Sequence, residues 1–261
     1  MKEKPLRLDY LDMAKGIGIL FVILGHIEFA PEPLRVWIST FHMPLFFIIS
    51  GILIAIKKED ESEMSVVWIK KARSILIPYF WFSLAYVAVD IGNLLLGKID
   101  MTIFGYNQIS SLIFYGSGTL WFLPALLLGD IFFLILKKKF RNISTIIIII
   151  ALSFASWMAE GYLSPIYDRV SANMFLAMLI NFVRVFLRGI IASFFVSCGF
   201  YFHKIIMKIL PDYEDESVMK NRLLALAAGA VLTVVSILTT GLNVPADLHN
   251  LVMGNPVLYF V

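Results

Sequence analysis

Long stretches without a single charged residue recur along this chain, and they constrain its fold more than any other feature. Asp, Glu, Lys and Arg are absent from Val36 to Ile56, Ser74 to Val89, Met101 to Gly129, Asn142 to Ala159 and Leu223 to Ala246. Several of these exceed the ~20 residues with which an α-helix crosses a hydrocarbon core of ~30 Å. Apolar and polar residues do not alternate at period two, so helices are favoured over the strands of a barrel. Composition agrees: 59% of the 261 residues are hydrophobic and 16% charged, against about 45–50% and about 25% in a typical soluble domain. The expected fold class is all-α, a polytopic transmembrane helix bundle.

Candidate spans are 15–30, 36–56, 74–97, 119–136, 142–158, 186–202 and 223–241, with an eighth beginning near 251. That makes about seven complete spans and a partial one. The chain stops at Val261, about 11 apolar residues into a segment that needs ~20, so the single membrane domain 1–261 is expected to be C-terminally incomplete. Basic residues set the orientation. With the N-terminus in the cytoplasm, 17 of the 22 Lys and Arg fall on that side, in clusters at 2–15, 57–73, 137–141 and 204–222. The positive-inside rule therefore predicts a cytoplasmic N-terminus.

The formal net charge of +3 is explained by topology and gives no reason to expect nucleic acid. The apolar run at the N-terminus leads into Glu28, Pro31 and Glu32 rather than a cleavage site, and further spans follow, so it reads as a span. The stretch 57–73 mixes charge with Met64, Val66, Val67, Trp68 and Ile69, which fits an amphipathic surface helix or a solvated loop. A single cysteine, Cys198, excludes an intrachain disulfide and is expected to pack within its apolar run.

Ionisable groups within the spans are the candidate functional residues, because each costs at least ~2.5–3.5 kcal/mol to insert. In LDMAKGIGILFVILGHIEFA (11–30), Lys15 and His26 are eleven residues apart. A continuous helix returns them to within about 20° of one face, ~16 Å apart along the axis, too far to touch. Asp12, three residues before Lys15, is its helix neighbour. His26 either caps the end of the helix or serves proton transfer, for which its titration range is suited. His42 precedes Pro44, whose missing N–H frees a carbonyl in the preceding turn, and a kink with His42 bonded to that turn is expected.

Lys70 and Arg73 sit three residues apart at the start of the third span, as interface anchors or as a pair for a phosphate-bearing ligand. Tyr79, Trp121, and the pair Arg184 and Arg188 are further candidate lining residues, and Asp130 requires a partner or a wet cavity. No Ser-His-Asp elbow, Walker loop, HExxH or Cys/His metal spacing is present, and no metal is expected.

These residues resemble the acyltransferase-3 family of bacterial integral-membrane O-acyltransferases, including its fucose 4-O-acetylase-like members. LDMAKGIGILFVILGH carries that family's Arg/Lys-x10-His signature at Lys15 and His26. FHMPLFFIISG (41–51), KKARSILIPYFWF (70–82), LWFLPALL (120–127) and LHNLVMGNP (248–256) look like its further signature stretches in the same order. The resemblance covers essentially the whole chain. It implies transfer of an acyl group, usually acetyl from acetyl-CoA, to a hydroxyl of a carbohydrate or other envelope acceptor. His26 is then the catalytic histidine, Lys15 its signature partner, and Lys70 with Arg73 a basic motif for acyl-CoA. Asp12 joins Lys15 in organising the donor's entrance. No permanently bound cofactor is implied, and the location is a bacterial cytoplasmic membrane. Without the resemblance, the residues leave open a proton-linked transporter or ligand sensor using His26 and His42, or an inactive truncated remnant.

Overall fold

The computed structural model describes residues 9–27, 29–209, 234–235, 248 and 251. The expected spans at 223–241 and from 251 onward, the loop at 210–222 and most of the 248–256 stretch lie outside the described residues. The described chain is all-helical, with no strand among its residues. Its helices are α1 (Asp9–Gly25), α2 (Glu32–Ile56), α3 (Met64–Leu95), α4 (Met101–Leu112), α5 (Phe122–Lys139), α6 (Asn142–Val170) and α7 (Met174–Ile209), with a 3₁₀ turn at Gly118–Trp121 before α5. Among the described residues, five stretches are long and apolar enough to cross a membrane: α2, α3, Gly118–Lys139, α6 and Met174–Ile205 of α7. Helix α1, at 17 residues, is about one turn short of a full crossing.

Several boundaries differ from the sequence reading, for identifiable reasons. Helix α1 ends at Gly25, so His26 lies in the turn that follows and not on a helix face shared with Lys15. Residues 64–73 are the first turns of α3 rather than a separate surface segment. Nothing between Met64 and Leu95 breaks the helix; Lys70 and Arg73 sit on exposed faces of its first turns, and Lys71 turns inward to carboxylate partners. Helices α6 and α7 likewise overrun the expected 142–158 and 186–202. The charge-free run from Met101 yields a separate helix, α4. Asp100 caps it by accepting the Ile103 N–H at 2.7 Å, and left-handed residues Phe114, Gly116 and Gly118 end the helical path after it. Pro44 does not interrupt α2, which runs unbroken through it.

Helix α7 is the spine of the bundle, packing against α2, α5 and α6. Glycines permit the tightest contacts. A Cβ on Gly51 of α2 would overlap the Val196 carbonyl of α7, and one on Gly199 of α7 would overlap the Ile48 carbonyl of α2. Gly129 of α5 fits against Ala192 of α7 in the same manner. Small residues at helix crossings are how helices in lipid gain dispersion contacts when no hydrophobic effect drives them together. Phe47, Phe133, Phe195, Val196 and Phe200 fill the core around these crossings.

The outer surface is apolar. Trp81 is 69% exposed, Leu95 82%, Ile143 74% and Phe175 76%, a distribution that water would penalise and hydrocarbon accepts. The protein is a multi-pass membrane protein. Cys198, expected to pack within its apolar run, is exposed on this outward surface.

Candidate functional site

Two polar regions occupy opposite ends of the first helices. The first is a cleft of about 730 Å³ where α1 ends and α2 begins, well within the range of small-ligand sites. Its wall includes His26, Glu32, Arg35, Ser39, His42, Tyr86, Thr119 and Trp121, with Leu248 closing one side. Four of these come from one stripe of α2, because 32, 35, 39 and 42 follow the three- and four-residue spacing of a helix face.

His26 is placed by the end of α1. Its backbone N–H turns back to the Ile23 carbonyl at 3.1 Å, which leaves the Val22 carbonyl without its usual helical donor. The His26 ring supplies one: Nδ1 lies 2.8 Å from the Val22 oxygen. A carbonyl only accepts, so Nδ1 carries the proton in the neutral ring and Nε2 holds the lone pair. The ring is thus both a helix cap and an oriented base. His42 repeats the arrangement inside α2, with Nδ1 2.7 Å from the Ile38 carbonyl. A bond from His42 to a backbone carbonyl of the preceding turn was expected, and the ring makes one, to Ile38 rather than to Thr40, whose carbonyl Pro44 leaves without its helical donor. Ile38 also touches α1, since its Cγ2 lies 3.2 Å from where a Gly25 Cβ would stand. Gly25 is what lets the end of α1, and so His26, close against this part of α2.

Trp121 is held from behind. Its ring lies 5.4 Å from the Arg188 guanidinium, which also stacks over Tyr115 at 4.1 Å and donates to the Tyr115 carbonyl at 3.1 Å. Gly118, at φ +57, makes the turn below Trp121 possible where a side chain would collide with the Tyr86 hydroxyl.

The second region gathers cations at the opposite end, where α2 ends and α3 begins. Lys15 pairs with Asp12 at 3.4 Å, half-exposed. Burial pushes the Lys57 ammonium below its ordinary pKa; Glu59 opposes this, while nearby Lys70, Lys71 and Lys15 add to it. Lys70 and Arg73 are exposed on α3. Beneath them, Lys71 is buried between Glu59 at 2.9 Å and Asp130 at 2.8 Å, and Ser50 donates to both Asp130 oxygens. Asp130, almost fully buried at 1% exposure, thus has its partner, and the network ties α2, α3 and α5 together.

Of the expected residues, His26, His42 and Trp121 come together in the cleft, while Asp12, Lys15, Lys70 and Arg73 lie toward the opposite end. Tyr79 belongs to neither. It is buried and donates to the Ser111 carbonyl at 2.6 Å, joining α3 to α4. Arg184 is likewise structural, gripping Glu160 of α6 with Nε at 3.1 Å from each carboxylate oxygen, and lying over Tyr167. Arg184 and Arg188 therefore act in separate contacts rather than as one lining face. Sequence reasoning missed Glu32, Arg35, Ser39, Tyr86 and Thr119. The 32/35/39/42 spacing was available as a signal, but it lay at a presumed helix margin where charge is unremarkable. No group of three His, Cys, Asp or Glu residues able to hold a metal occurs among the described residues.

The acyltransferase domain family known as acyltransferase 3 matches residues 8–261, and the chain belongs to that family. No curated protein and no solved structure matches it.

Proposed function

We propose that this member of the acyltransferase family is a membrane O-acyltransferase that moves an acyl group, acetyl in the simplest case, from acyl-CoA to a hydroxyl of an envelope carbohydrate. One observation carries the reading: His26 lies in a cleft of ligand size with its Nδ1–H committed to the Val22 carbonyl, leaving Nε2 as the base. The His26 lone pair takes the proton of the acceptor hydroxyl as that oxygen attacks the thioester carbonyl. The carbon–sulfur bond breaks, the thiolate leaves and is protonated to CoA thiol, and the acceptor keeps the new ester.

The distribution of basic residues supports an orientation with the N-terminus in the cytoplasm. Lys15, Lys57, Lys70 and Arg73 then face the compartment that holds acyl-CoA, and suit its phosphates as point charges and, for Arg73, as a bidentate donor. The cleft opens on the other side. Along α1 the two regions are separated by roughly eleven residues, ~16 Å, the distance that the thioester arm of the donor has to cover. Asp12 orients Lys15 at the donor end.

Incubating membranes with labelled acetyl-CoA and isolated envelope glycans tests the proposal. Label should enter base-labile esters on the glycan with wild-type protein and not with His26→Ala. Equal incorporation by the two would sink it.

A further inference from the structure

Glu32, Arg35 and Ser39 lie in the wall of the cleft and have no part in the transfer step. They define its depth. At ~1.5 Å per residue along α2, His42 lies ~15 Å deeper than Glu32. Gly25 abuts Ile38, so His26 enters about one helical turn below Arg35. Glu32 and Arg35 are therefore the mouth of the cleft, roughly one sugar ring above the proposed base.

Arg35 is out of balance there. Its Nε is buried and has no hydrogen-bond partner among the described residues. A donor left unmade on a charged group is costly, so a ligand oxygen that draws the guanidinium into the cleft is favoured. Glu32, one turn away on the same wall, decides which oxygen. A carboxylate or phosphate placed on Arg35 would also sit against Glu32, and like charges brought together are penalised. A hydroxyl has no such conflict: its oxygen accepts from Arg35, while a neighbouring hydroxyl donates to Glu32. Ser39, which donates its own hydroxyl to the Val36 carbonyl at 2.6 Å, keeps an oxygen available as acceptor.

From this geometry we infer that Glu32 and Arg35 form a subsite for an uncharged polyol, the neutral sugar ring of the acceptor, and that they exclude rings bearing a carboxylate. The inference rests on the reading of the cleft as the acceptor's, but the subsite binds without any transfer taking place.

Methyl glucoside and methyl glucuronide, the same ring differing by one carboxylate, are the probes. Binding to the full-length protein in detergent is followed by saturation-transfer NMR, with no acyl donor present. Wild-type protein should bind the glucoside about tenfold more tightly than the glucuronide. Arg35→Gln should weaken the glucoside about tenfold, the equivalent of one lost hydrogen bond of ~1.4 kcal/mol, and Arg35→Lys by less. Glu32→Gln should narrow the gap by raising glucuronide binding. Unchanged melting of the variants shows that they fold. Equal or tighter glucuronide binding, no binding of either probe to wild-type protein, or an Arg35→Gln variant that binds normally would each overturn the subsite. Failed acetyl transfer alongside the expected binding pattern would sink the acyltransferase reading and leave the subsite standing.

Discussion

His26 and His42 make the same hydrogen bond in two different settings: each ring places Nδ1 within 2.8 Å or less of the carbonyl four residues before it. In His26 that carbonyl is left over at a helix end; in His42 it lies inside a continuous helix. Both neutral rings are thereby held in the tautomer with the lone pair on Nε2, and both belong to the wall of one cleft. A backbone carbonyl thus fixes the Nδ1 side of each ring.

Replacing a base with a hydrogen-bonding side chain that cannot take a proton separates these roles. His26→Gln should lower acetyl transfer by about 10²–10⁴-fold, the usual contribution of a positioned base, with melting unchanged. His42→Gln, deeper in the cleft, should lower it less. Transfer rates measured on membranes at matched expression check both, and full activity in His26→Gln would remove His26 from the chemistry.

The Lys71, Glu59 and Asp130 network predicts a different pattern. Two carboxylates share one buried ammonium, so removing Lys71 leaves two buried carboxylates uncompensated, whereas removing Asp130 leaves Lys71 still paired with Glu59. Lys71→Met should cost about 3–5 kcal/mol and Asp130→Ala less, whereas the combined Glu59→Gln, Lys71→Met and Asp130→Leu change should recover much of the Lys71→Met loss. Thermal unfolding of the purified protein in detergent reads this directly. A triple variant weaker than both single variants would contradict it.

Lys57 makes a pH prediction. Its folded-state pKa lies below its ordinary value of 10.5 because it is partly buried and neighboured by Lys70, Lys71 and Lys15. Between the folded and unfolded pKa values the unfolded chain binds more protons, so stability rises with pH through that window, and the charging cost is fully present below it. Lys57→Gln should melt higher than wild type at neutral pH and lose that alkaline gain. A polyanionic donor should also relieve the crowding of cations: CoA should raise the wild-type melting temperature more than that of Lys57→Gln. Identical shifts in the two proteins would take Lys57 out of the donor region.

How legible this was in the sequence can be argued residue by residue. Absence of charge located the apolar helices well, because lipid imposes that composition directly. It located their ends poorly: α3 carries Lys70, Lys71 and Arg73 in its first turns without breaking, and helix ends in lipid interfaces tolerate charge. The Asp12 and Lys15 contact followed from helical spacing and was found at 3.4 Å. The partnership of Lys71 with Asp130, 59 positions apart, left no local trace. Arg35 falls just before the charge-free run 36–56, where a cation ordinarily snorkels to water, and only the fold reveals that its Nε is buried.

The crossing of α2 and α7 supplies the last prediction. Gly51 and Gly199 face each other's helix backbones, and a methyl group on either would run into a carbonyl that belongs to an intact helix and has no freedom to turn aside. Gly51→Ala and Gly199→Ala should each destabilise by about 1–3 kcal/mol through overpacking. Together they should cost less than the sum, since the first substitution already separates the two helices. Gly92 and Gly161 are the controls. Both are helical with nothing within 4 Å of a new Cβ, so alanine there should stabilise by roughly 0.5–1 kcal/mol through helix propensity alone. Melting in detergent distinguishes the two pairs. The cleft should feel the first pair as well, because α2 carries Arg35 and His42; a shift of that helix predicts weaker acceptor binding in Gly51→Ala and none in Gly161→Ala. If all four variants behaved alike, the close approach of α2 and α7 would not be a determinant of this fold.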